Sequence, residues 1–333
     1  MNNPTRRHFK VPILRGAALL ATAISLMTPP VIGHAMNQSD LRPPTEISLW
    51  HELPLAMFGG TADALTKDAL GDIWYFDATS NHLVRVDSVT HDQAQFSLGF
   101  LARIRSMAAT RDGLIWFAND YDRTIGSLDP ATGVVRRFPL AGVGNPLSLV
   151  VGDDGNIWFG DDRHSRLGRL TPSGVLTFVP EPTGDYAYSL ASAPDGKIYY
   201  VRGGTDAVGS YDPISGVFSD TGVHSDSALN VAVGKSGDVW VSGVDEFTRI
   251  TAAGVITTFR VSSPGPAPVI PKDFIGGDLA EIYFVDSNYG FGTIDSTGAI
   301  HFSRLDAGSN SIELDGAGHV WVNAPSGHEL VWM

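Results

Sequence analysis

The sequence contains no cysteine, which excludes disulfides, thiolate zinc sites, iron–sulfur clusters and cysteine nucleophiles in whatever compartment the protein works. Any metal must therefore be held by oxygen or imidazole. Positive charge is also scarce: 23 basic against 36 acidic residues leave a formal charge of −13. A polyanion such as nucleic acid is then repelled except at a local basic patch. Recognisable catalytic signatures are missing too. The histidines are scattered without a His-Glu-x-x-His spacing, no serine sits in a nucleophile-elbow motif, and Gly142–Gly144 and Gly203-Gly204 lack the strand-to-helix context of a phosphate loop. What is abundant is glycine, 37 residues, with 20 prolines spread along 333 positions, a composition that suits many short strands and tight turns. With 43% hydrophobic residues the chain can bury a sizeable core, and an all-β protein is expected.

Residues 1–35 read as an export signal. The chain opens with Thr5-Arg6-Arg7-His8-Phe9-Lys10, continues through an apolar stretch from Ala17 to Met27 and reaches Gly33-His34-Ala35, a small-x-small cleavage site. The apolar stretch is shorter than the roughly 20 residues of a membrane-spanning helix, so no stable membrane anchor is expected. The Arg6-Arg7 pair followed by Phe9 and Lys10 is similar to a twin-arginine signal, and Arg15 lowers the hydrophobicity of the adjoining segment, which suits that route. Removing residues 1–35 takes away four basic and no acidic residues and leaves a charge of −17. Residues 36–46 form a short linker and 47–333 one domain, expected in the periplasm or outside the cell and as a monomer.

One pattern repeats seven times. An aliphatic residue, an aromatic and another apolar residue occur at Ile73-Trp74-Tyr75, Ile115-Trp116-Phe117, Ile157-Trp158-Phe159, Ile198-Tyr199-Tyr200, Val239-Trp240-Val241, Ile282-Tyr283-Phe284 and Val320-Trp321-Val322, the aromatics spaced by 42, 42, 41, 41, 43 and 38 residues. A turn such as Asp112-Gly113, Asp154-Gly155 or Asp195-Gly196 precedes most triplets, so each triplet is the second strand of a hairpin. Nine residues before each aromatic stands an apolar residue, Leu65, Met107, Leu149, Leu190, Val231, Phe274 or Ile312, marking the first strand. Pairs such as Ile125-Gly126 and Leu167-Gly168, and then Gly133-Val134 and Gly174-Val175, mark the third and fourth. Four antiparallel strands per repeat of about 42 residues make a β-propeller blade. The last repeat stops after its third strand, while residues 47–53 read like an isolated fourth strand. The two fragments complete one blade and close a seven-bladed ring without an open edge.

Repeats reading Asp-Gly-x-Ile-Trp-Phe, then Ile-Gly-x-Leu, then Gly-Val resemble those of the virginiamycin B lyase family, the best matches being residues 112–138 and 154–179. The resemblance covers nearly the whole mature chain and rests on scaffold residues, so it specifies fold better than function. It implies a metal-assisted elimination that opens a cyclic depsipeptide at its ester, through histidines and a glutamate at the start of innermost strands and a further glutamate after an aromatic triplet.

The family's histidine positions, eleven residues before the blade aromatic, are here Asp63, Arg105, Leu147, Tyr188, Leu229, Lys272 and Asn310. None is histidine, so no general base of suitable pKa is evident and no residue is assigned a catalytic role. Asp120 and Asp162 stand where the family can carry a carboxylate after the triplet, and they are the candidate metal ligands, for magnesium or calcium. In a propeller the innermost strands line a central channel. Asp63, Arg105, Tyr188, Lys272 and Asn310 therefore converge at one mouth, joined from the loops by Asp120, Asp161, Asp162, His164, Arg202, Asp286 and Tyr289. Two readings stand side by side: a site for a small polar ligand, a cation or another protein, or an ordinary solvated rim. An enzyme at the same mouth, a streptogramin-type lyase or a gluconolactonase-like hydrolase, is the alternative. The blade aromatics are read as packing between blades.

Overall fold

The computed structural model describes residues 50–55, 62–140, 144–224, 227–277, 281–286, 288–304, 309–324 and 329–333. The expected export signal at 1–35 and linker at 36–46 lie outside the described residues. Within 51–332 the regular elements are strands, arranged as seven antiparallel sheets of four. The innermost strands are Ala62–Lys67, Ile104–Ala109, Pro146–Val151, Ala187–Ser192, Asn230–Val233, Pro271–Gly276 and Ile312–Leu314, one for each of blades one to seven. Each packs against the innermost strand of the next blade, and that of blade seven packs against that of blade one. The expected seven-bladed propeller is therefore the fold. Its closure is also as expected: His51–Pro54 is the outer strand of blade seven, pairing antiparallel with Glu329–Trp332 so that Leu53 faces Leu330.

The repeated triplet explains how the blades stack. Consecutive strand residues point to opposite faces of a sheet, so the first and third triplet residues face the preceding blade and the aromatic faces the following one. Trp74 accordingly packs in one cluster with Ile115 and Phe117 of blade two, Trp116 with Ile157 and Phe159 of blade three, and Trp321 with Ile73 and Tyr75 of blade one. The core is thus seven layers, one at each seam. The tryptophans at 74, 116, 158, 240 and 321 are at most 1% exposed, which supports the reading of the blade aromatics as scaffold. The turn aspartates add a polar contact, since the Trp74 and Trp321 indole N–H groups donate to Asp68 (2.8 Å) and Asp315 (2.9 Å).

The Ile-Gly and Leu-Gly pairs of the third strands have a steric cause. Gly126, Gly168 and Gly292 lie opposite Phe117, Phe159 and Phe284 in the sheet register. A Cβ on Gly126 would stand 2.1 Å from the Phe117 ring. Where the third triplet residue is Val241 or Val322, the facing residue is Thr248 or Val331 instead. Ring and glycine, or two β-branched side chains, fill the same space.

Candidate functional site

The innermost strands bring the predicted mouth residues together by a local irregularity. In blades two, four and six the pairing of first and second strands slips between Ile104 and Ser106, Ala187 and Ser189, and Pro271 and Asp273. The residue left over in each β-bulge is Arg105, Tyr188 or Lys272, and a bulge re-aims its extra residue away from the ladder. These three side chains, together with Asn310 just before the innermost strand of blade seven, line a central cavity of about 920 Å³. Leu147 lines it too. The side chain of Asp63 lies outside the described residues. Tyr188 is 46% exposed, and Lys272 is exposed with no ion pair among the described residues.

Blade two contributes more than Arg105. Arg103, two residues upstream, lines the same cavity, and both arginines turn their Nε groups onto one carboxylate, that of Asp120. Arg105 Nε lies 2.6 Å from Asp120 Oδ2, and Arg103 Nε bonds to the other oxygen, Oδ1. Asp120 is held in turn, because its N–H donates to the Arg103 carbonyl (3.2 Å) and the Arg103 N–H donates to Asn119 Oδ1 (2.9 Å). The first-strand entry and the loop after the second strand are therefore stitched into one piece.

This geometry gives Asp120 a role other than the expected metal ligation, since each of its oxygens already accepts from a guanidinium. Asp162 is likewise engaged, accepting from the Asn145 backbone N–H and side-chain amide at 3.2 Å each. Among the described residues no group of three or more His, Asp or Glu side chains is placed to hold a metal ion. The magnesium or calcium that the resemblance implies does not fit these two positions, where the oxygens of Asp120 accept from two guanidinium groups and those of Asp162 from the Asn145 amides.

The other loop residues expected at the mouth do not line the cavity. Asp161 is fully buried and accepts from His164 Nδ1 (3.0 Å), Arg166 Nε (2.8 Å) and the Arg163 N–H (3.2 Å). Arg202 lies buried between Glu181 (3.1 Å) and Asp220 (2.8 Å). Asp286 caps its own loop through the Asn288 and Tyr289 N–H groups, and Tyr289 donates its hydroxyl to the Ala267 carbonyl at 2.5 Å. These side chains hold the loops in shape. Their spacing matched the mouth residues because the loops repeat with the blades.

Two features of the channel escaped the sequence reading. The first is a chain of hydrogen bonds from the position ten residues before each blade aromatic. Ser106, Ser148, Ser189 and Ser311 accept from the N–H of Leu149, Leu190, Val231 and Leu65 in the next blade, at 3.0–3.2 Å. Asn230 donates to the Lys272 carbonyl (3.2 Å), and Asp273 accepts from the Ile312 N–H (3.1 Å). Six of the seven seams are linked this way, and Ala64 in blade one has no polar atom to offer. The signal was legible: Ser, Ser, Ser, Asn, Asp and Ser recur at this position in blades two to seven.

The second is a pair of carboxyl groups in the cavity wall, Asp273 and Glu313 on blades six and seven. Desolvation raises Asp273 to about 6 against the hydrogen bonds from Ile312, Ser311 and Phe274, which lower it. Desolvation likewise pushes Glu313 up to about 7; the Leu314 N–H and Lys67 oppose the rise and the nearby Asp273 charge adds to it. Groups of base-like pKa are therefore present, contrary to the expectation from the missing histidines, although they lie below the mouth positions along the strands. Glu313 takes the place held by Val150, Ala191, Ala232 and Ile275 in other blades, so no periodic pattern announced it.

The match to the virginiamycin B lyase family model spans residues 100–329. Among solved structures, a catalytically inactive histidine-to-alanine variant of virginiamycin B lyase from Staphylococcus aureus, with quinupristin, is similar at a TM-score of 0.76 and 20% identity, over 85% of this chain and 98% of that one. A streptogramin B lyase gives 0.76 and 20% over 85% and 96%. The extracellular domain of a one-component system of B. thetaiotaomicron gives 0.65 and 14%, over 85% of this chain and 41% of that one. A sequence comparison with curated proteins finds no match. Identities this low speak for the fold alone. The family match covers most of the propeller, and the chain belongs to the virginiamycin B lyase family.

Proposed function

We propose that the protein is an exported ligand-binding propeller that takes a small polar molecule at the channel mouth, on Arg105, Tyr188, Lys272 and Asn310, and does not carry out the streptogramin elimination. The observation that carries this reading is the mouth itself. No histidine lines the cavity among the described residues, and bulges in three blades present arginine, tyrosine and lysine instead. Opening an ester by elimination needs a base beside the acidic C–H and an electrophile for the developing charge. The mouth supplies cations and hydrogen-bond donors, which suit recognition of a polar ligand. Export is supported by the Arg6-Arg7 signal pattern and by extracellular domains among the structural relatives.

One observation favours a second reading. Glu313, raised to about 7, has the proton affinity of a general base and lines the cavity, so an enzyme with a relocated base is the alternative. The test separates the two. Incubation of the mature protein with a type B streptogramin and magnesium, with mass spectrometry of the linear product, is expected to show no turnover above buffer. A thermal-shift screen of small polar molecules is expected to find a stabilising ligand whose effect is lost in Tyr188→Ala and Lys272→Gln. Turnover that disappears in Glu313→Gln would establish the second reading. A screen without any such ligand would refute the first.

A further inference from the structure

We infer that Arg103 and Arg105, held side by side by Asp120, form a receptor for an oxyanion group, carboxylate or phosphate, on a small molecule bound at the channel mouth. The inference rests on the ligand-binding reading above and names the chemistry of the ligand.

Charge balance is the first ground. Asp120 is 4% exposed and needs one cation to offset its burial, yet two guanidinium groups converge on it. The trio therefore carries a surplus positive charge, and two like charges are fixed near one another, which costs free energy unless a second anion joins them. Lys272, whose side chain forms no ion pair among the described residues, adds another positive charge to the same cavity wall. In a protein of formal charge −13 this is a local reversal of sign.

The second ground is donor geometry. Both arginines approach Asp120 through Nε, and their terminal nitrogens make no hydrogen bond or ion pair among the described residues. The side chains are 62% and 51% exposed, although their anchor is buried. A guanidinium pinned at Nε presents its remaining N–H groups as a planar fork, the arrangement that grips carboxylate and phosphate oxygens.

The third is rigidity. Asn119 and Asp120 are tied to the Arg103 backbone by two hydrogen bonds across the strand entry, and Asn119 Oδ1 also accepts from the Tyr121 N–H, so the forks are positioned before a ligand arrives. Pre-organisation of this kind lowers the entropy cost of binding. Among the described side chains, the acidic groups that share the cavity stand elsewhere: Asp273 is turned into the seam with blade seven, on Ser311 and Ile312, and Glu313 lies further along its strand.

The test uses the mature protein with inorganic phosphate and succinate as probes and choline as the cationic control, titrated by calorimetry at low and moderate salt. Phosphate and succinate are expected to bind, more weakly at higher salt, and choline is not. Arg103→Gln and Arg105→Gln should each weaken anion binding at least tenfold. Arg105→Lys, which keeps the charge and the exposed position but loses the fork, should also weaken it severalfold while leaving the melting temperature within about a degree, so that a folding defect in the Gln variants leaves the question decided. Absence of anion binding by the unaltered protein, or binding indifferent to all three substitutions, would overturn the inference. Should the thermal-shift screen meanwhile yield a neutral or cationic ligand sensitive to Tyr188→Ala, the ligand-binding reading survives and only the anion receptor falls.

Discussion

Glu313→Gln isolates the electrostatic cost of the channel carboxyl pair. In the folded protein Glu313 titrates at about 7, against 4.5 for an unperturbed glutamate. Between those values the native state holds a proton that the unfolded chain releases, so stability falls as pH rises through this window and is level above it. At about 1.4 kcal/mol per pH unit the difference corresponds to an upper value of roughly 3 kcal/mol at pH 8, reduced by whatever screening the channel water provides. Glutamine keeps the acceptor for the Leu314 N–H, which bonds to Glu313 Oε1 at 2.9 Å, and removes the titrating charge. The variant is therefore expected to match the wild type near pH 4.5 and to exceed it at pH 8, with a gap of several degrees in melting temperature. Carboxylates held below their usual range, such as Glu181 and Asp315, shape the wild-type profile in the opposite sense at low pH. They are common to both proteins and cancel in the difference. Thermal melts of the pair from pH 4.5 to 8.5 supply the measurement. A difference independent of pH, or a variant less stable at pH 8, would refute the reasoning.

Three further outcomes are expected from the fold and the signal. Deleting His51–Pro54 strips the outer strand from blade seven and uncovers Leu330, and should cost about 3–5 kcal/mol by chemical denaturation; an unchanged midpoint would mean that the ring does not depend on this closure. Gly126→Ala drives a Cβ into the Phe117 ring and should cost about 1–3 kcal/mol by chemical denaturation, whereas Gly126→Thr combined with Phe117→Val, which reproduces the Val241–Thr248 pairing of blade five, should be less destabilising than Gly126→Thr alone. Replacing Arg6 and Arg7 by lysine should leave the precursor uncleaved in the cytoplasm, as cell fractionation would show, because the twin-arginine signal is read by a receptor rather than as charge.

The architecture is written in the repeat. Burial of Ile-Trp-Phe at each seam imposes a strict alternation on the second strand, and the same requirement recurs in every blade, so the period near 42 and the triplets carry the blade count, the strand order and the closure by a strand near residue 50. The steric pairing of Gly126 with Phe117 was visible as a recurrent glycine, although its cause was not. The convergence of Arg105, Tyr188, Lys272 and Asn310 on one cavity was likewise legible, because equivalent positions of a closed ring must meet at its axis. What each polar side chain does there depends on the neighbours that folding brings to it. Asp120 and Asp162 occupy equivalent positions, yet one holds two arginines and the other an asparagine, since the residues thirteen and eleven before the aromatic are Arg103 and Arg105 in blade two but Asn145 and Leu147 in blade three. Glu313 breaks the apolar pattern of its ring position, and its proton affinity depends on the desolvating wall and on Asp273 in the neighbouring blade. A repeat specifies what all blades share, whereas the chemistry of the channel lies in what single blades do differently, and those differences acquire meaning only beside the residues the closed ring sets against them.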